Sequence, residues 1–185
     1  EYLRRFPGDR AAQALREELA ARLMRLYEAV RTPDWLWFED IVAYCNARLS
    51  QALIVTGRSL ERKDWLDAGL ESLEWLVRVQ TDEAGHLVPV GSNGFWRRGQ
   101  ERARFDQQPV EAHCMVSACL DAWRATGEEK WRAEARRAFD WFLGRNDLGL
   151  PLYDAATGGC RDGLHPDRVN LNEGAESTLS FHFAL

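Results

Sequence analysis

The stretch Phe105-Asp106-Gln107-Gln108-Pro109-Val110-Glu111-Ala112 decides how the chain reads. Amides come first, then proline, then a carboxylate, then an apolar run. Proline suits the first position of a helix, because the N–H it lacks would have no partner there. An acid in the first turn faces the free backbone N–H groups and the positive end of the helix dipole. Residues 110–123 hold only Glu111 and Asp121 as formal charges. A helix apolar nearly all round is buried on most sides. The chain repeats the pattern as Val169-Asn170-Leu171-Asn172-Glu173-Gly174-Ala175-Glu176-Ser177.

Working outward, the apolar periodicity predicts six helices, near residues 9–30, 39–56, 61–80, 107–125, 128–143 and from 173 to the end. Asp9 is placed to cap the first. Gly57, Gly127 and Gly144 follow the second, fourth and fifth as left-handed stops. The helices alternate in character. The first, third and fifth carry a charged face, such as Arg132, Glu134, Arg136 and Arg137 in the fifth. The second, fourth and sixth are sparsely charged. Charged helices are then outer and apolar ones inner.

The loops alternate too. Inner-to-outer links are short, whereas outer-to-inner links at residues 81–106 and 145–172 are long. The link over 31–38 is intermediate. Long loops in a compact domain are usually functional, and all three open at the end where inner helices begin. Trp65 and Trp75 recur 66 positions on as Trp131 and Trp141, and Gln107 to Glu111 recurs 65 positions on as Asn172 to Glu176. A period of this length is one helical hairpin with its loop. The expected fold is all-α, an (α/α) toroid of three hairpins (six helices) in a single domain spanning 1–185. A ring of six hairpins needs about twice this length. Together with a first residue that is not Met, this reads as the C-terminal portion of a longer chain.

Composition removes several classes of function. The net charge of −5, with acids and bases interspersed, leaves no basic stripe for a nucleic acid. No apolar run has the length of a membrane span, and no signal peptide is visible. Cys45, Cys114 and Cys119 fall in apolar helical pattern, and no cysteine pair has zinc spacing. A reduced, cytoplasmic setting is expected. Residues 154–162 are glycine-rich without the alternating acids of a calcium loop. No phosphate loop, dinucleotide fingerprint or nucleophile elbow occurs. Neither metal nor cofactor is expected.

The candidate chemistry lies at the helix starts. Each inner helix is expected to carry acid early: Glu39 and Asp40, then Glu111, then Glu173 and Glu176. The helix dipole explains any one of them. As a set at one rim, a separated pair has the makings of a general acid and base for a glycosidic bond. Glu111 and Glu176 lead, with Asp40 third. Phe95, Trp96 and Tyr153 offer flat faces for sugar rings. Arg97, Arg98, Asp106, Gln107, Gln108, Asp162, Asn170 and Asn172 offer hydroxyl partners. The same aromatics would serve equally to pin the loops, and Trp96-Arg97-Arg98 would equally suit an anion. Of the scattered His86, His113, His165 and His182, only His165, in a mouth loop, is considered as an acid or base, and it reads equally as a surface residue.

Several of these motifs together resemble a known group. They are Trp35-Leu-Trp-Phe-Glu39 with Tyr44-Cys-Asn46-Ala-Arg-Leu49, Phe105-Asp-Gln-Gln-Pro109-x-Glu111-Ala112, Gly158-Gly-Cys160-x-Asp162-Gly163 and Asn170-x-Asn172-x-Gly174-Ala-Glu-Ser-Thr-Leu179. Over residues 33–185 the chain resembles a bacterial helical region found with glycosyltransferase domains, similar in architecture to the six-hairpin glycosidase superfamily. The resemblance implies a toroid and a carbohydrate substrate, with a linked glycosyltransferase domain as partner. It carries over no catalytic pair. Two further readings stand beside a processing enzyme: a non-catalytic glycan-binding or scaffolding domain, and a sugar epimerase, which would be expected to use histidines.

Overall fold

The computed structural model describes residues 2–185. It is mostly helical. Among the described residues are α1 (Tyr2–Arg5), α2 (Arg10–Val30), α3 (Ala47–Ser59), α4 (Lys63–Val79), α5 (Pro109–Thr126), α6 (Glu129–Asp140) and α7 (Ala175–Ala184). Four two-residue strands lie in the loops: β1 (Ile41–Val42), β2 (Trp96–Arg97), β3 (Gly163–Leu164) and β4 (Val169–Asn170). No described helix is long and apolar enough to cross a membrane.

The caps act as read. Asp9 Oδ1 accepts the Ala12 N–H at 2.9 Å at the start of α2. Pro109 opens α5, and Gly127, left-handed at φ 74°, closes it with its N–H on the Trp123 carbonyl. Packing follows the alternation of charge. The pairs α3–α4 and α5–α6 are hairpins, and α5 lies between α3 and α7. The core between these layers is built on Trp37, Trp75, Trp141, Phe38 and Phe142, all fully buried. The tryptophan repeat is structural. Trp65 and Trp131 are both buried under a cation, Arg62 at 4.4 Å and Lys130 at 4.9 Å from the ring centroids.

The fifth predicted helix ends at Asp140, short of Gly144, and the second differs at both ends. The second predicted helix does not start at Glu39. Residues 39–46 form a corner in which β1 pairs antiparallel with β2, joining the loop after α2 to the long loop after α4. Cys45 sits in that corner, half-buried and left-handed at φ 50°, and not in a helix. The same helix also runs through Gly57 to Ser59 instead of stopping. Glycine is needed there for a close approach: a Cβ would lie 2.5 Å from the Leu66 backbone nitrogen on α4. All four cysteines are free thiols.

The loops at the inner-helix starts are tied together. The β3–β4 hairpin lies within the link between α6 and α7. Gln107 and Leu164 exchange both backbone hydrogen bonds, at 3.0 and 2.9 Å, fastening that hairpin to the segment entering α5. A Cβ on Gly163 would collide with the Gln107 carbonyl, so this crossing also requires glycine.

Candidate functional site

Glu111 lies in the first turn of α5 and is only 5% exposed. Its carboxylate accepts the backbone N–H of Cys45, the backbone N–H of Asn46 at 3.2 Å and Asn46 Nδ2 at 2.9 Å. The acid of one repeat therefore satisfies the free N–H groups at the start of the preceding repeat's helix, α3, which has no acid in its own first turn. Burial pushes the Glu111 carboxyl up to about 7; the bonds from Asn46 and Cys45 oppose the rise, and the charge on Glu176 adds to it.

Glu176 is exposed in the first turn of α7, and its Oε2 accepts the Tyr44 hydroxyl at 2.6 Å. Burial and the Glu176 carboxylate push the Tyr44 phenol above its ordinary value. One turn along, Arg48 Nη2 lies 3.1 Å from His113 Nε2, and burial together with Arg48 lowers that histidine's pKa. Asp40 is not in the first turn of a helix. It stands in the corner before α3, 77% exposed, 3.5 Å from Arg98. The expected triple of equivalent acids is a pair. The position 65 residues before Glu111 is Asn46, and these two side chains bond to each other.

Several predicted binding residues hold the loops instead. Gln107 is buried: its Nε2 donates to the Arg104 carbonyl and to Asp147, and its Oε1 accepts Trp141 Nε1 at 2.9 Å. No hydrogen-bonding group is left on it for a ligand. Gln108 Nε2 donates to Ser92 Oγ at 3.3 Å. Trp96 stacks on Trp75 with centroids 5.6 Å apart and donates to the Gln100 carbonyl. Arg97 is exposed on β2, while Arg98 donates to the Val30 carbonyl and Thr32. Asp162 accepts the Gly174 N–H at 2.7 Å and Asn172 Nδ2, which caps α7 from earlier in the link that leads into it. Partial burial works against its ionisation, but the bonds from Asn172, Ser177 and Gly174 prevail and hold its pKa below the usual carboxylate value. Asn170 Oδ1 accepts the Asn172 N–H at 3.1 Å.

Asp106 and His165 come together. His165 Nδ1 lies 2.6 Å from Asp106 Oδ1. The Gln107–Leu164 crossing sets this geometry by placing the residues on either side of it next to each other. His165 also lines a cavity of about 810 Å³ with Tyr153, Asn170, Arg161, Arg168 and Leu171. Tyr153 is supported from behind by Phe181, stacked at 4.4 Å. Arg161 is held by Asp154 and Glu173, and it donates to the Leu171 carbonyl at 2.7 Å. With Asp106 accepting from Nδ1–H, the imidazole presents Nε2 as its proton acceptor.

One further cluster has the donor types of a cation site. The donor atoms of Asp82, His86 and Asp147 lie within 4.8 Å of one another. Arg104 already supplies the positive charge, with Nη2 at 2.9 Å from Asp82 and 2.6 Å from Asp147. The cluster is an ion-pair network that ties the two long loops. Comparison with known proteins finds no matching family model and no matching curated protein.

Proposed function

We propose that the chain is a carbohydrate-active domain built as part of an (α/α) ring and linked in function to a bacterial glycosyltransferase. In this reading it binds a sugar at the mouth made by the inner-helix starts and their loops, and His165 moves a proton to or from the bound sugar. The observation that carries it is the Asp106–His165 contact on the wall of a cavity large enough for a small saccharide. Tyr153 supplies an apolar face, and Asn170 and Arg168 supply polar groups beside it. Asp106 orients the ring and stabilises the imidazolium formed when Nε2 takes a proton. This arrangement favours proton transfer of the epimerase type over a two-carboxylate glycosidase mechanism. Glu111 is buried against three N–H donors, which leaves it no path to a substrate.

A second reading, a glycan-binding domain without turnover, is favoured by the carboxylates. Glu111, Asp162 and Glu173 are all engaged in holding helices and loops. A panel of free and nucleotide-linked sugars, assayed for turnover and by titration calorimetry, separates the readings. Proton transfer requires His165→Gln and Asp106→Asn to lower turnover at least about 100-fold while binding persists. Binding that needs Tyr153, with no turnover of any sugar, selects the second. If no sugar binds or reacts, both are rejected.

A further inference from the structure

Charge as well as shape limits what the cavity beside His165 can hold. Its walls carry cations and carboxylates in pairs. Asp154 and Arg161 come from the link before β3. Asp167 and Arg168 come from the turn between β3 and β4, which the His165 N–H closes on the Arg168 carbonyl at 2.9 Å. Arg161 is half-buried and held by three acceptors: the Asp154 carboxylate, Glu173 at 3.1 Å and the Leu171 carbonyl at 2.7 Å. Arg168 Nη1 donates to Asp167 Oδ1 at 2.8 Å. Among the described residues, each arginine lining the cavity is paired with a carboxylate.

An anionic ligand meets an unfavourable field here. Two guanidinium groups stand against four carboxylates: Asp154 and Asp167 in the lining, and Asp106 and Glu173 paired with lining residues from behind. Protonating His165 still leaves the carboxylates in excess. A phosphate or a uronate would take Arg161 or Arg168 from its partner and leave that carboxylate unpaired beside the new charge. Like charges set side by side in this way reject a ligand. A neutral hydroxyl has no such cost. It both donates and accepts, so it can bridge a carboxylate and its arginine without parting them. Neighbouring hydroxyls on a sugar ring do this together, while the apolar face of the ring lies on Tyr153, backed by Phe181.

We propose that this cavity takes a neutral saccharide and excludes sugar phosphates, uronates and nucleotide-linked sugars. The inference rests on the carbohydrate reading above and narrows it. Beside a glycosyltransferase, the cavity then serves the glycan that is extended or formed. It does not serve a nucleotide-activated donor, which carries a diphosphate.

Calorimetric titration with matched sets tests it. The probes are gluco-, galacto- and manno-configured hexoses and disaccharides, the uronate and 6-phosphate of each hexose, and nucleoside diphosphate hexoses. A neutral sugar should bind at least about 10-fold more tightly than its charged counterparts. Its affinity should change less than about 2-fold on raising NaCl to about 0.5 M, since no net charge is being screened. Asp167→Asn, at a side chain 72% exposed, leaves Arg168 without its carboxylate and should reduce the discrimination against charged sugars at least about 3-fold. A charged sugar that binds the wild type more tightly than its neutral parent overturns the proposal and leaves the sugar site standing. Discrimination that survives Asp167→Asn undiminished also overturns it. No binding by any member of the sets rejects it together with the carbohydrate reading.

Discussion

Glu111→Gln probes the buried junction between repeats. The wild-type carboxyl is pushed from an ordinary 4.5 to about 7, chiefly by burial. An acid whose folded pKa lies above its unfolded one holds more protons in the folded state than in the unfolded one. Its contribution to stability is fully present below about pH 4.5 and is lost as pH rises through about 7. The span is about 2.5 pH units, worth about 3 kcal/mol at about 1.4 kcal/mol per unit. Glutamine keeps the shape and does not titrate. Its amide NH₂ would face one of the N–H donors from Cys45 or Asn46, a steady cost of about 1–3 kcal/mol. Urea unfolding of both proteins at pH 4.5, 5.5, 6.5 and 7.5 is the assay. The wild type should lose about 3 kcal/mol relative to the variant across that series. A difference between the two curves that stays flat within about 0.5 kcal/mol would refute the burial argument, and with it the structural role assigned to Glu111.

Two further changes test how the elements are held. Asp162→Ala removes the acceptor of the Gly174 N–H and should destabilise the chain by about 1 kcal/mol, with loss of helical signal from α7 in hydrogen exchange. Gly57→Ala should cost about 1–3 kcal/mol in a thermal melt despite alanine's higher helix propensity, because the new methyl meets the α4 backbone.

The helices were legible because their signals are local. Asp9, Pro109 and Gly127 act on N–H and C=O groups within a turn of themselves, and each does what its position predicts. The corner over residues 39–46 was not legible. Its apolar pattern suits a helix, but it pairs with a strand in another loop more than fifty residues away. The surroundings of the cavity beside His165 were partly legible. Tyr153, Asn170 and His165 are loop residues of the expected types, but the pairing of His165 with Asp106 depends on the Gln107–Leu164 crossing. Arg161 and Arg168 were missed, since a loop arginine carries no local sign of what it faces. The repeat period itself carries the signal for the Glu111 contact, since 65 positions before Glu111 stands Asn46, its bonding partner, and not Asp40.

Sequence alone therefore determined the helical hairpins, their alternation of charged and apolar faces, and the end of the bundle where the long loops gather. Periodicity and capping are enough for that, because each depends on neighbours within one or two turns. Only the tertiary structure decided what the acid in Phe105–Ala112 does. The same local sequence suits a first-turn glutamate that faces solvent, its own helix or a neighbour. What separates these cases is the desolvation of Glu111 by the α3 corner and the three N–H groups that meet it there, contributed by residues 65 and 66 positions away.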